Sequence, residues 1–290
     1  MLLRGDQVDY TDVRRVAITA LFSDDTLLNH LVLKGGNALS LVYGLGKRTS
    51  LDLDFSMDYD FVDVPNARER LFRALRDRFD AVGLKVFDEQ LEPKPQLEGE
   101  DTKPWWGGYE LRFKLIESQK YEVFKDRLEK LRINAMVTGP KERRTFMVDL
   151  SKCEYTEGKV EREFNSYTIY VYTPEMIAIE KLRAICQQMP EYTHKTHQSG
   201  RARDFYDIYC VVSELGVDLG SEENLELARH IFAAKQVPFS LLPKMTEQRE
   251  LHRLDWPAVK DSVGGTVEEF DFYFDFVLAH VERLKPLWVE

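Results

Sequence analysis

Cysteine is scarce: Cys153, Cys186 and Cys210 are the only three in 290 residues, and no two are closely spaced. That speaks against both a disulfide framework and a zinc site. Cys186 and Cys210 fall inside apolar helical patterns and read as buried thiols. Histidine offers no metal centre either. His194 and His197 sit in a polar stretch without an acid or cysteine at ligand spacing and read as loop histidines; His30, His230, His252 and His280 are scattered. Long apolar runs are missing, and none approaches the roughly 20 residues that span a bilayer. The first dozen residues lack the apolar region and small-residue cleavage site of a signal peptide. A reducing cytoplasm, with no membrane partner, is the expected setting. An excess of positive charge is also absent: the net charge is −10, so a polynucleotide substrate would have to be held by a local patch. Internal repeats and low-complexity tracts are missing too.

What is present suffices for a folded protein of one large or two closely packed domains: 43% hydrophobic and 12% aromatic residues. The most informative stretch is 31–56. An apolar run, Leu31 to Leu33, leads into Lys34, Gly35 and Gly36, then a helix-like segment from Asn37 to Tyr43. Lys47 and Arg48 follow, and then the alternation Leu51, Asp52, Leu53, Asp54, Phe55. Period-two alternation is that of a strand, which sends the leucines and Phe55 into a core and both carboxylates to the opposite face. Paired carboxylates repel unless a cation lies between them, and hard divalent ions take such oxygen ligands. Glycines at a strand-to-helix junction expose backbone N–H groups to an anion. Chemistry on a nucleotide follows from the two together.

Lys-Gly-Gly, a short helix, Arg48-x-Ser50 and then Asp52-Leu53-Asp54-Phe55-Ser56 resemble the polymerase-β-like nucleotidyltransferases. Within them the pattern resembles the AbiEii-type abortive-infection toxins of bacterial toxin–antitoxin systems. The fifteen residues between Gly36 and Asp52 are closer to that branch than to polymerases or antibiotic-modifying enzymes.

Along the rest of the chain, residues 9–29 read as one helix with Thr11 as its cap, and 64–82 as a second with Leu71, Leu75 and Phe79 inward. Leu84 to Phe87 reads as a short strand and 90–108 as loop, its Trp105 and Trp106 either stacking on a base or pinning the loop. Tyr109 to Ile116 reads as a strand and Gln119 to Leu131 as a helix. Between Arg112 and Arg144 ten Lys/Arg stand against five acids, a candidate phosphate-facing patch. Asp149 lies in an apolar strand, where an acid needs a partner: a salt bridge to Arg143 or Arg144, or, by the resemblance, the third carboxylate of the superfamily. Tyr167 to Tyr172 is strand-like. A helix capped by Thr173 runs from Glu175 to about Gln188, and another opens at Arg201 with Phe205, Ile208, Tyr209, Val212 and Leu215 inward. From Asp218 the chain reads as helical and acidic: Glu222 to Ala234, a break around Pro238 to Pro243, and a last helix from Val267 to Leu284.

The resemblance extends to Glu180-Lys181-Leu182 and to Arg203-Asp204-x-x-Asp207, for which an internal ion-pair network joining two helices is the alternative reading. It implies an α/β (α+β) fold: a nucleotidyltransferase core with a small mixed sheet over 1–173, then a mostly helical part, 174–290, that contributes to the active-site cleft. It implies Mg2+ (or Mn2+) held by Asp52, Asp54 and Asp149, with Asp52, Asp54, Asp149, Lys181 and Asp204 catalytic. The nucleoside triphosphate would be bound by Lys34, Gly35, Gly36, Asn37, Arg48, Ser50, Arg203 and Asp207; Ser50 could equally serve strand-start hydrogen bonding. The implied reaction transfers a nucleotide to an RNA acceptor, the 3′ end of tRNA, with release of pyrophosphate. That would block translation in an abortive-infection, phage-defence role restrained by a separately encoded antitoxin. The rival readings are modification of a protein or small molecule, and an inactive nucleotidyltransferase fold that only binds.

Overall fold

The computed structural model describes residues 10–46, 48, 50, 52–95, 103–139, 142–195 and 197–289, together with the backbone of 3–4 and 7–8. The chain divides into two compact units: 1–37, 51–156 and 160–171 form the first, and 38–50, 157–159 and 172–290 the second.

The first unit is built on a seven-stranded mixed sheet. Its strands are β3 (Val32–Lys34), β4 (Leu53–Ser56), β5 (Leu84–Lys94), β6 (Gly108–Glu117), β7 (Phe146–Ser151), β8 (Val160–Phe164) and β9 (Tyr167–Val171), in the order β5-β6-β7-β4-β3-β9-β8. A hairpin of β1 (Leu3–Arg4) and β2 (Gln7–Val8) stands apart from it. The pairs β3–β9 and β4–β7 are parallel and the others antiparallel. This is the expected mixed α/β architecture, in a wider sheet than expected because β5 and β8 extend it at both edges.

Register explains the two faces. Leu33, Phe55, Leu150 and Tyr109 are partners across four strands, as are Leu53, Val148 and Leu111, and all are buried. Helices α1 (Tyr10–Leu21) and α4 (Val64–Asp80) pack on each other and bury Val13, Ala17 and Leu21 together with the inward residues expected of the second, Leu71, Leu75 and Phe79. The Asp63 side chain caps α4 by accepting from the Asn66 amide at 2.9 Å.

Several element limits differ from expectation. Residues 9–29 make two helices, because Asp24 interrupts the run and caps α2 (Asp25–His30), its carboxylate accepting from the amides of Thr26 and Leu27. The strand begun at Leu84 does not end at Phe87; it shifts register through a bulge and continues to Lys94, so 90–94 are strand rather than loop. Pro93 is tolerated because β5 is an edge strand. Gln119 to Leu131 is broken at Lys125–Arg127 into α5 (Ser118–Phe124) and α6 (Leu128–Asn134). Leu51, expected inward, lies outside the described residues.

The second unit is helical: α7 (Pro174–Cys186), α8 (Ala202–Leu215), α9 (Glu222–Ala234), α10 (Arg249–Arg253), α11 (Trp256–Ser262), α12 (Phe270–Val281) and α13 (Pro286–Val289). Thr173 caps α7 through the Met176 amide, with Pro174 in the first turn. The expected break at Pro238–Pro243 is a 3-10 helix, Phe239–Gln248, and the last long helix is shorter than 267–284, its end relaxing to a 3-10 turn at Glu282–Leu284. The core includes Phe205, Phe270 and Phe274, with Phe205 stacked on Phe274 at 5.0 Å.

Candidate active site

The face of the sheet opposite the apolar one carries a row of charge. Lys34 on β3 is the register partner of Asp54 on β4, Asp54 of Asp149 on β7, and Asp149 of Glu110 on β6; Glu110 in turn partners Glu92 on β5. Residues in register share a face, so alternation in five separate strands brings one lysine and four carboxylates into line. Alternation predicts the inward and outward sides of β4, and the meeting of Asp54 with Asp149 is what the resemblance implied.

Gly35 and Gly36 follow Lys34 directly and open α3 (Gly35–Asn37), which widens into a π turn at Ala38–Val42. Gly35 has φ +71°, and a Cβ there would lie 2.7 Å from Oδ2 of Asp54. Only glycine meets both demands, and its main chain thereby approaches the Asp54 carboxylate. Asn37 is fully buried and braced on both sides: Arg14 donates to its Oδ1 at 3.1 Å, and its own Nδ2 donates to the backbone oxygen of Asp52 at 2.6 Å. Arg14 and Asn37 therefore fix the backbone that carries Asp52. Lys34 is buried, with Nζ 3.7 Å from the buried carboxylate of Glu154.

The acids are already met by cations. Lys94 reaches from the edge strand to Asp149 at 2.7 Å and Glu110 at 3.1 Å. Asp149 is thus paired with Lys94, and the expected salt bridge to Arg143 or Arg144 is not made. Arg143 stands instead 2.8 Å from Oδ1 of Asp52, while Arg144 donates to the carbonyl of Ala135. Among the described residues no three acids, thiols or imidazoles stand as a group that could hold a metal ion, so the expected trio Asp52, Asp54 and Asp149 is not gathered into one as the side chains stand. The donor chemistry nevertheless suits a hard divalent cation, being carboxylate throughout. Oδ1 of Asp52 is moreover buried without a hydrogen bond, its arginine neighbour lying close but off the bonding direction.

In the expected phosphate-facing patch at 112–144 several cations are paired with acids. Arg112 pairs with Glu92 and Glu110, Lys114 with Asp88, Lys120 with Glu117, Lys125 with Glu122, and Arg132 with Asp88 and Glu129. Trp105 and Trp106 are half-buried against each other.

In the second unit Lys181 on α7 is buried, 2.8 Å from Asp204 and 2.8 Å from Asp207, both on α8. Arg48 makes a two-pronged pair with Asp207 at 2.8 and 3.2 Å, and Arg201 bonds Asp204 at 2.5 Å. Burial alone would push Asp204 up. The charges of Arg201 and Lys181 outweigh it and hold that carboxyl well below the usual range. Asp207 is lowered for the same reason by Arg48 and Lys181. Burial likewise favours loss of the Lys181 proton, and the two aspartates outweigh it, so the lysine stays charged. Lys181, Arg48 and Arg201 engage these two carboxylates, and Asp255 is a third acid close enough to Arg203, Arg201 and Arg48 to interact with their charges. Arg203, expected in this network, is exposed on the first turn of α8, and Arg201 holds the position instead; the residue before a buried acid gave the sequence reading no way to choose between them. Ser50 is half-buried.

Arg14, Lys94, Glu110, Arg143 and Glu154 join the site in the structure without having been singled out as site residues from sequence. Arg14 alone left a usable trace: it lies between Val13 and Val16, on the buried side of α1.

Residues 17–276 match the family model described as nucleotidyl transferase AbiEii toxin, type IV TA system. No curated protein matches the chain by sequence. Among solved structures, JHP933 from Helicobacter pylori is 18% identical, covering 96% of this chain and 91% of its own, with a TM-score of 0.49. An antigenic nucleotidyltransferase-like protein from Paracoccidioides brasiliensis is 15% identical over 79% of this chain and 92% of its own, with a TM-score of 0.37. ANT(2″)-Ia in complex with adenylyl-2″-tobramycin is 13% identical over 78% and 98%, with a TM-score of 0.36. The family match spans most of the chain and includes every site residue expected from the sequence: this protein is a member of the AbiEii nucleotidyl transferase toxin family of type IV toxin–antitoxin systems.

Proposed function

We propose that this nucleotidyltransferase moves a nucleotide from a nucleoside triphosphate to the 3′ end of tRNA, and that the loss of usable tRNA halts translation. The observation that carries the reading is the register pairing of Asp54 with Asp149, with the Gly35 main chain pressed against Asp54. It sets two carboxylates beside a backbone that a phosphate can approach closely.

In this mechanism Lys34, Gly35, Gly36 and Asn37 hold the triphosphate at the start of α3. Asp52 and Asp54 would hold magnesium or manganese, which when bound neutralises charge on the phosphates. Asp149 accepts the proton of the acceptor hydroxyl as its oxygen bonds to the α-phosphorus. The bond from that phosphorus to the bridging oxygen breaks, and pyrophosphate leaves. Lys181, Arg48, Ser50 and Arg203 serve the nucleotide phosphates, with Asp204 and Asp207 keeping Lys181 charged and in place.

We place the activity in the cytoplasm, in abortive defence against phage, under a separately encoded antitoxin. No helix among the described residues is long and apolar enough to cross a membrane. The test is incubation with purified tRNA and each α-labelled triphosphate in turn, with and without magnesium. Label on tRNA only with magnesium is expected. Label appearing in protein or in a small molecule instead would move the reaction to another acceptor.

A further inference from the structure

Arg143 lies just before β7, and its backbone forms an antiparallel bridge with Gly139. Thr138 donates twice to the Arg143 carbonyl, through its amide at 2.5 Å and its hydroxyl at 3.1 Å. The guanidinium lies back over Gly139, where a Cβ would come within 2.9 Å of Nε. Glycine therefore makes the room this side chain occupies. Two of its three nitrogens, Nε and Nη2, are buried yet have no hydrogen-bond acceptor among the described residues, and Nη1 has only the Met147 sulfur at 3.8 Å. Nη2 stands 2.8 Å from Oδ1 of Asp52, itself without a hydrogen bond.

Such an arrangement is costly unless something completes it. Unmade hydrogen bonds on buried polar groups each cost about 1–3 kcal/mol, and a planar guanidinium fork matches phosphate oxygens in particular. The guanidinium is directed at Asp52, the first of the two aspartates assigned above to the nucleotide. We propose that Arg143 is a phosphate-binding residue of the nucleotide site, resting against Asp52 until the polyphosphate of the nucleotide takes its N–H groups. The inference rests on the nucleotide-transfer reading. It adds a residue, and a consequence: the side chain that binds phosphate competes with a divalent cation for Asp52 while phosphate is absent.

The test uses the full chain and two probes, inorganic tripolyphosphate with Mg2+ and Mn2+ alone, measured by calorimetry and by Mn2+ electron paramagnetic resonance. Arg143→Gln is expected to weaken tripolyphosphate binding about tenfold and to tighten Mn2+ binding about threefold, because a competing charge has gone. Arg143→Lys should recover part of the tripolyphosphate affinity. Gly139→Ala keeps the charge but pushes the guanidinium aside, and should weaken tripolyphosphate binding about threefold without loss of fold. Opposite signs for the two probes distinguish this role from simple structural damage. Wild-type binding of tripolyphosphate that all three variants retain in full overturns the assignment of Arg143. Unchanged or weaker Mn2+ binding in Arg143→Gln overturns its competition for Asp52. If the wild-type protein binds neither probe, the nucleotide-transfer reading itself falls.

Discussion

Asp54 and Asp149 are register partners on adjacent parallel strands, separated in sequence by nearly a hundred residues and brought level by the β4–β7 pairing. On the mechanism above they have different tasks, so their amides should differ in effect. Asp149→Asn removes a proton acceptor and should lower transfer about 10²–10⁴-fold. Its half-exposed pair with Lys94 is worth little, so stability should change by less than about 1 kcal/mol. Single-turnover transfer and urea unfolding of the same sample check both halves.

Gly35→Ala should be far more damaging than its size suggests. The positive φ costs about 1 kcal/mol for a residue with a side chain, and the new Cβ meets the Asp54 carboxylate at 2.7 Å. Either that carboxylate or the turn must move. Transfer should fall about 10²-fold or more, with a loss of stability of only a few kcal/mol measured by urea titration.

Lys181→Met tests the buried network. Removing one partner from buried ion pairs costs about 3–5 kcal/mol. The folded pKa values of Asp204 and Asp207 are depressed, so their contribution is complete above the unfolded carboxylate pKa of about 4 and is lost as pH falls through the lower folded values. The stability gap between wild type and variant should therefore be widest near neutrality and narrow below about pH 4. Urea unfolding at a series of pH values measures it.

His252 supplies a second pH signal of distinct origin. It is fully buried, accepts from the Arg201 amide through Nδ1 at 3.1 Å, and burial lowers its pKa to about 4 despite the pull of Asp204, with Arg201 adding to the drop. The unfolded chain takes up that proton near pH 6.5 and the folded one near pH 4. Stability should thus fall by on the order of 3 kcal/mol between those limits. In His252→Asn, which keeps an acceptor for Arg201, that slope should vanish.

Much of this was legible in the residues. The Asp52–Phe55 alternation, the glycine pair and the Arg203–Asp207 helix carried enough period and order to place the acids, the turn and the buried lysine. Local signals failed where a distant strand decided the outcome. Pro93 and Pro95 made 90–108 read as loop, yet an edge strand needs no donor from Pro93, and β6 held β5 in register to Lys94. Lys94 and Glu110 escaped notice, and Arg143 was matched with Asp149 rather than Asp52, because charge along a sequence does not tell which strands become neighbours. Part of the basic excess at 112–144 is taken up for the same reason: the acidic partners Asp88 and Glu92 come from β5.

The most direct test of the account is transfer of α-labelled nucleotide to purified tRNA by wild type and by Asp54→Asn at equal concentration, with magnesium present. The account predicts label on tRNA from the wild-type protein and at least about 10²–10³-fold less from a folded Asp54→Asn. Equal labelling by the two would contradict it.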